Sequence, residues 1–235
     1  MTLEAMYCFI VAGGPGLHLP SKDYARLCID NTKNLKSPAE CYQSMLQSAT
    51  EWEEDFLIYF HDDVTVHDKD WNERIRNRFK DPQVVAVGMG GATGLANKDL
   101  YRKPFNIWNM ARSGYCSNQT DAETHGSRFT GSKRVAVLDA FCMAVRMPWL
   151  RDRGGWPIRH LTHHCLDLWL ACEAARDGKQ IWMEGISCTH HGGGTSTKPS
   201  YTKAPWLQGG SLEQDHIRPH KWLYKEYRDV LPILV

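Results

Sequence analysis

Up to residue 90, short apolar runs alternate with segments of helical period, and that alternation limits the chain to few architectures. "MYCFIVA" (6–12) stops at Gly13-Gly14-Pro15-Gly16, the pattern of a buried strand and a turn. "ARLCIDN" (25–31) reads as a second strand. In "SPAECYQSMLQSATEW", Ser37 can cap a helix, Pro38 suits its first turn and Glu40 completes a capping box. Tyr42, Met45, Leu46 and Ala49 then share one apolar face. "DFLIYF" (55–60) is the next strand, "KDWNERIRNRF" (69–79) a helix with Trp71, Ile75 and Phe79 in line, and "VVAVGM" (84–89) a strand again. Strand and helix in turn predict an α/β fold with a mostly parallel central sheet flanked by helices.

Residues 91–134 break the pattern. They are rich in Gly, Asn, Ser, Arg and aromatic residues with little periodicity, and predict an irregular insertion. "VAVLDAFCMAVR" (135–146) resumes as a strand with Asp139 in its middle. A carboxylate between apolar neighbours is either paired or functional, and Arg146 or Arg134 is a possible partner. "DLWLACEAARDGK" (167–179) is a helix stopped at Gly178, and "QIWMEGISCTHH" (180–191) is a strand. A glycine-rich stretch of loop composition follows, and "RPHKWLYKEYRDVL" predicts a terminal helix.

Composition narrows the function classes. The formal net charge of +1 provides no global field for nucleic acid or anionic lipid. No apolar run approaches the roughly 20 residues of a membrane helix. The N-terminus lacks the basic start of a signal peptide. Eight scattered cysteines without CxxC pairs predict free thiols in a reducing, cytoplasmic compartment.

Three clusters carry chemistry-bearing side chains. "FLIYF" drives straight into His61-Asp62-Asp63, and carboxylates beyond the carboxyl end of a strand suit a divalent cation that also holds phosphate oxygens. The bland alternative is a polar turn. In "HHCLD", His164 and Asp167 share a face if helical, and Asp167 is either a general base or simply an acid favoured at a helix N-terminus. "CTHHGGG" ends a strand with His190 and His191, plausible metal ligands. A zinc set of Cys188, His190, His163 and Cys165 matches no finger spacing.

Taken in order, four segments resemble the GT-A glycosyltransferases of the family 2-like group: "SPAECYQSMLQSATEWEEDFLIYFHDDV", "VLDAFCMAVRMPWL", "GGW...HHCLDLWLACEAARDGKQIWM" and "ISCTHHGGGTS". The resemblance implies one Rossmann-like GT-A domain over residues 1–235. Residues 1–90 would bind the nucleotide sugar, 91–134 would be the insertion, 135–196 the acceptor and catalytic half, and 197–235 a lid loop and C-terminal helix. A lid over residues 192–215 would close on the donor. The resemblance further implies an inverting, hexosyltransferase-type enzyme that uses a nucleotide-sugar donor, a UDP-sugar foremost, with Mn²⁺ or Mg²⁺. Asp63 would be the main acidic metal ligand, with His190 and His61 beside it. Asp62 would lie near the ribose or diphosphate, Asp30 or Asn31 would meet the nucleobase, and Asp139 would join the donor pocket. Asp167 would be the general base, with His164 as a further catalytic candidate.

The sequence departs from that group where His61 stands in the first acidic position, where Gln43 replaces an Asn after the helix tyrosine, and where "CLD" has one acid instead of two. The acceptor implied is a glycan or a hydroxymethylated DNA base. Basic residues at 98, 102, 103, 112, 128, 133 and 134 are either a rim for a phosphate backbone or a solvated loop. The rival readings are a sugar-phosphate nucleotidyltransferase, from "IVAGGPGLHLP", and a non-enzymatic metal- or carbohydrate-binding protein.

Overall fold

The computed structural model describes residues 6–11, 18–20, 25–31, 35–49, 55–95, 115–117, 128–191, 203–207 and 212–235. In chain order these form β1 (Met6–Val11), β2 (Ala25–Asp30), α1 (Pro38–Ser48), β3 (Phe56–His61), β4 (Val64–Val66), α2 (Trp71–Phe79), β5 (Val84–Gly88), β6 (Gly90–Ala92), β7 (Gly94–Leu95), β8 (Tyr115–Ser117), β9 (Ser132–Val135) and β10 (Val137–Leu138). They continue with β11 (Cys142–Arg146), α3 (Met147–Arg151), α4 (Leu166–Arg176), β12 (Gln180–Glu184), β13 (Cys188–His190), α5 (Leu212–Glu226) and β14 (Ile233–Leu234).

The central sheet has the order β2-β1-β3-β11-β5-β12-β9. β1, β2, β3, β5 and β12 run one way, while β11 and β9 run against them. The result is a mixed sheet in an α/β fold, mostly parallel as expected. Strand β11 enters antiparallel between β3 and β5. A short loop can therefore lead from the carboxyl end of the sheet back into it.

Each face of the sheet has its own core. Leu57 and Tyr59 of β3 pack with α1 and α4, while Phe56, Ile58 and Phe60 pack on the other side with Trp71, Ile75 and Phe79 of α2. This is the period of two that a strand imposes. It explains why "FLIYF" is apolar without alternation: both faces are covered. Each such side chain stabilises the fold by roughly 1.5–3 kcal/mol on burial. The α1 start is the expected capping box, with Ser37 Oγ accepting from the Glu40 N–H and the Glu40 carboxylate accepting from the Ser37 N–H.

Three expected elements differ. The run 135–146 is split into β9, β10 and β11, with Asp139 in the turn that precedes β11 instead of in mid-strand. The backbone N–H of Asp139 donates to the Gly90 carbonyl, and its carboxylate accepts from the Phe141 N–H at 3.3 Å. Arg146 is not its partner, because that guanidinium donates to the carbonyls of Val84, Phe79 and Asp81. The run 180–191 is broken at 185–187, and β13 leaves the main sheet to pair antiparallel with β4. The terminal helix begins earlier, at Leu212.

Gly154-Gly155-Trp156 passes under α1. Gly155 has φ +87°, and a Cβ there would sit 2.2 Å from the Gln43 side chain, whose Oε1 accepts from the Trp156 N–H at 2.8 Å. Gly155→Ala is expected to cost about 2 kcal/mol, from the left-handed backbone and the displaced glutamine together. Denaturant unfolding measures it, and an unchanged midpoint would show that this backbone tolerates a side chain.

Candidate functional site

The site is built where β3 ends. His61 is the last residue of that strand, and its backbone N–H donates to the Phe141 carbonyl at 3.0 Å. Asp62 and Asp63 turn the chain into β4, which pairs with β13 so that His190 lies opposite Val64. The ribbon is tied further by the His191 N–H donating to the Asp63 carbonyl at 2.8 Å. Thr65 Oγ1 lies 3.1 Å from His191 Nε2, and Thr189 Oγ1 lies 2.9 Å from His67 Nε2. A backbone bridge from His18 to Thr65 braces the other side of β4. Two segments about 130 residues apart are thus locked in register, with three ligand-type side chains on one side.

His61 Nδ1 is 3.3 Å from His190 Nε2, and His190 Nε2 is 3.2 Å from Asp63 Oδ1. The three ligand atoms lie within 4.8 Å of one another. Asp63 Oδ1 is buried, and no hydrogen-bond donor is aligned on it despite the close approach of His190. One proton on His190 Nε2 cannot serve both neighbours at once. Two imidazole nitrogens and a carboxylate oxygen converging in this way form a donor set for a divalent metal, and that set suits Mn²⁺ or Zn²⁺ better than Mg²⁺, which prefers oxygen throughout. The residues present therefore fit a metal.

Electrostatics agree with the geometry. Burial first, and the neighbouring His190 second, hold the His61 imidazole below its ordinary value against the pull of Asp63, Asp139 and Asp62. A neutral imidazole keeps the lone pair a metal needs. Burial alone would raise the Asp63 carboxyl, but the contact and charge of His190 and the charge of His61 outweigh it and hold the carboxyl below its usual range. The Phe141 ring stacks against His190 with centroids 5.1 Å apart, fixing the plane of that imidazole. Phe141 was not among the residues expected here, and the only sign of it in the sequence is an aromatic two places after Asp139.

Asp167 sits in the first turn of α4, in a separate element from the metal cluster. Its carboxylate accepts from the Leu168 N–H at 2.9 Å. Burial, followed by the charge of Asp139, pushes its pKa up to about 7, against the pull of the Leu168 and Asp167 N–H groups. The charge of Asp139 acts on both His61 and Asp167.

Other expected residues stand differently. His164 does not share a helical face with Asp167. The helix begins at Leu166, and Cys165 between them has φ +71°, which turns the chain. The His164 ring instead meets His163 edge-on at 4.5 Å. Asn31 closes its own turn: its amide donates to the Lys36 carbonyl at 2.7 Å and its Oδ1 accepts from the Lys36 N–H at 3.1 Å. These two bonds fix the Asn31 side chain in the turn that follows β2. Asp62 is buried, at 8% exposed. The Asp30 side chain lies outside the described residues, as do Gly13 to Gly16 and residues 192–202 and 208–211 of the expected lid.

The zinc set does not assemble: Cys165 lies 3.2 Å from His220, while Cys188 is buried in the core on the α2 side. Of the expected basic rim, residues 98, 102, 103 and 112 lie outside the described residues. Lys133 and Arg134 are exposed on the edge strand β9, where charge discourages pairing with another chain. Among the described residues, no helix is long and apolar enough to cross a membrane.

No protein-family model matches the chain, and no curated protein matches it. Among solved structures, A197 from STIV superposes with a TM-score of 0.49 and 13% identity, over 80% of this chain and 86% of its own. GalNAc-T7, solved with UDP, GalNAc and Mn²⁺, gives a TM-score of 0.49 and 8% identity over 79% of this chain and 43% of its own. The mannosyltransferase PcManGT from Pyrobaculum calidifontis, solved with GDP-Man and Mn²⁺, gives 0.44 and 13% over 77% of this chain and 56% of its own. This chain therefore spans about half the length of the latter two.

Proposed function

We propose that the protein is a metal-dependent glycosyltransferase that moves a sugar from a nucleotide-diphosphate donor to an acceptor hydroxyl with inversion. The observation that carries this reading is the convergence of His61, Asp63 and His190 at the carboxyl end of β3, with a carboxyl of raised pKa, Asp167, on a separate helix. The motifs that resemble the GT-A glycosyltransferases contribute these same residues.

His61, Asp63 and His190 would hold the cation, which when bound offsets the charge that grows on the departing diphosphate. Asp167 accepts the acceptor hydroxyl's proton as that oxygen bonds to the anomeric carbon. The bond from that carbon to the diphosphate breaks on the opposite side, and the nucleoside diphosphate leaves with the electron pair. The proposed base on α4 and the proposed metal site at the end of β3 and on the β4–β13 ribbon belong to separate elements, as inversion requires of groups that act from opposite sides of the sugar. Burial first, and the charge of Asp139 second, keep the Asp167 carboxyl basic enough for this task. A UDP-sugar is the donor we infer and a glycan the acceptor.

A screen of nucleotide sugars with Mn²⁺, read by released nucleotide, tests the reading. One donor is expected to be hydrolysed, and a chelator to stop it. Release from no donor with Mn²⁺, Mg²⁺ or Zn²⁺ would overturn the assignment.

A further inference from the structure

Cys165 is the one non-glycine residue with a positive φ among the described residues, at +71°. That conformation presses a Cβ against the following carbonyl, so it persists only where the surroundings hold it. Cys165 is also the N-cap of α4. Its carbonyl accepts from the Trp169 N–H at 2.9 Å and opens the helix, and Asp167 stands in the first turn beyond it. The direction in which the chain leaves residue 165 thus sets where that first turn, and Asp167 with it, points. The choice of residue is unusual, since an N-cap is commonly Ser, Thr, Asp or Asn bonded to the helix N–H groups. The Cys165 side chain makes no such capping bond.

Its thiol is engaged by α5 instead. Cys165 Sγ lies 3.2 Å from His220 Nε2, and the two residues are 6% and 2% exposed. Burial first, then the charges of Asp167, Asp215 and Cys172, push the thiol well up, so it keeps its proton and has the imidazole nitrogen as acceptor. Five residues earlier on the same helix, Asp215 accepts from the Thr162 hydroxyl, again between buried partners. The Thr162 carbonyl accepts in turn from the Ala39 N–H of α1 at 2.9 Å. One helix, with no residue in the metal cluster, therefore grips the turn before α4 at both residue 162 and residue 165.

We propose that His220 is a positioning residue for Asp167: through the Cys165 thiol it holds the left-handed turn that starts α4, with Asp215 on Thr162 as the second anchor. The inference rests on the reading of Asp167 as the base.

His220→Ala, Cys165→Ala and Cys165→Gly test it. Glycine adopts a positive φ at no steric cost and is accepted at a helix N-cap, whereas alanine carries the Cβ and lacks the thiol. Two quantities are read: kcat and KM for the donor, and the titration of the Asp167 carboxyl by NMR on the whole chain without donor or metal. His220→Ala and Cys165→Ala are expected to lower kcat by about tenfold with the donor KM unchanged, since a misplaced base costs rate and not donor binding. In both, the carboxyl is expected to titrate about one pH unit below the parent's value of about 7, because a released first turn lets water reach it. Cys165→Gly is expected to exceed Cys165→Ala by about tenfold in kcat and to keep the parent's titration. A thiol that only fills space predicts the reverse order, because glycine leaves the larger void. The pair at position 165 decides the matter even if His220→Ala does not fold. A titration of Cys165→Gly that moves as far as that of Cys165→Ala, a kcat for glycine no higher than for alanine, or a His220→Ala variant with parental kcat and titration would each overturn the proposal. The titration needs no donor, so a parent that turns over no sugar while its carboxyl follows the expected order overturns the base assignment alone.

Discussion

Asp63→Ala is expected to lower donor turnover by on the order of 10²–10³-fold, the loss seen when one fixed stabiliser of developing negative charge is removed. It is also expected to weaken Mn²⁺ binding while leaving the fold intact. The reasons are geometric. Asp63 supplies the only carboxylate of the three-residue cluster, and its inner oxygen has no aligned donor. Removal of the side chain takes away a carboxylate that His190 and His61 hold ionised against the cost of its burial. Its backbone carbonyl, which accepts from His191 and helps close the β4–β13 ribbon, stays in place. The thermal midpoint should be unchanged or slightly lowered, because a carboxyl held below its usual range stabilises the fold at neutral pH, while turnover should collapse and calorimetry with Mn²⁺ should show the lost affinity. Near-normal turnover with retained Mn²⁺ binding would overturn the assignment of this residue.

How far the sequence could reach is clear at particular residues. The strand Phe56–His61 and the capping box at Ser37 and Glu40 are local: apolar run length and spacing specify them, and the structure has both. Strand order is not local. Nothing in "VAVLDAFCMAVR" says that its second half enters antiparallel between β3 and β5, because hydrophobic pattern records burial and not neighbours. The same limit hid the ribbon of β4 with β13, each only three residues long. Motif order brought His61, Asp63 and His190 onto one candidate list, but only the fold shows their mutual approach. Asn31 shows a different limit. A polar residue at a strand end looks alike whether it faces a ligand or closes a turn, and here Lys36 takes it. Pairing His164 with Asp167 on one face requires an unbroken helix, and Cys165 in a left-handed conformation breaks it.

Asp167→Asn is expected to separate stability from activity. The carboxyl has an ordinary value of 3.8 and is pushed up to about 7 in the folded chain. Between those two values the folded state holds a proton that the unfolded state has released, so stability conferred by this group is fullest below about pH 4 and declines as pH rises to about 7. Above that the full cost of keeping the ionised carboxylate is present, about 4 kcal/mol from the size of the shift. Asn preserves the oxygen that accepts from the Leu168 N–H but carries no charge beside Asp139. At pH 8 the variant should therefore unfold at a higher temperature than the parent, and the difference should vanish near pH 4. Activity should move the opposite way. A base must be unprotonated, so turnover by the parent should rise with pH through about 7, and the variant should lose on the order of 10²–10⁴-fold in kcat with that inflection gone. A purely structural acid at a helix N-terminus would give a different pair of results: Asn would lower stability or leave it unchanged, and the pH profile of turnover would keep its inflection. A melt at two pH values and one pH–rate profile for each protein distinguish the two roles, and a base is assigned only if the variant is both more stable at pH 8 and inactive.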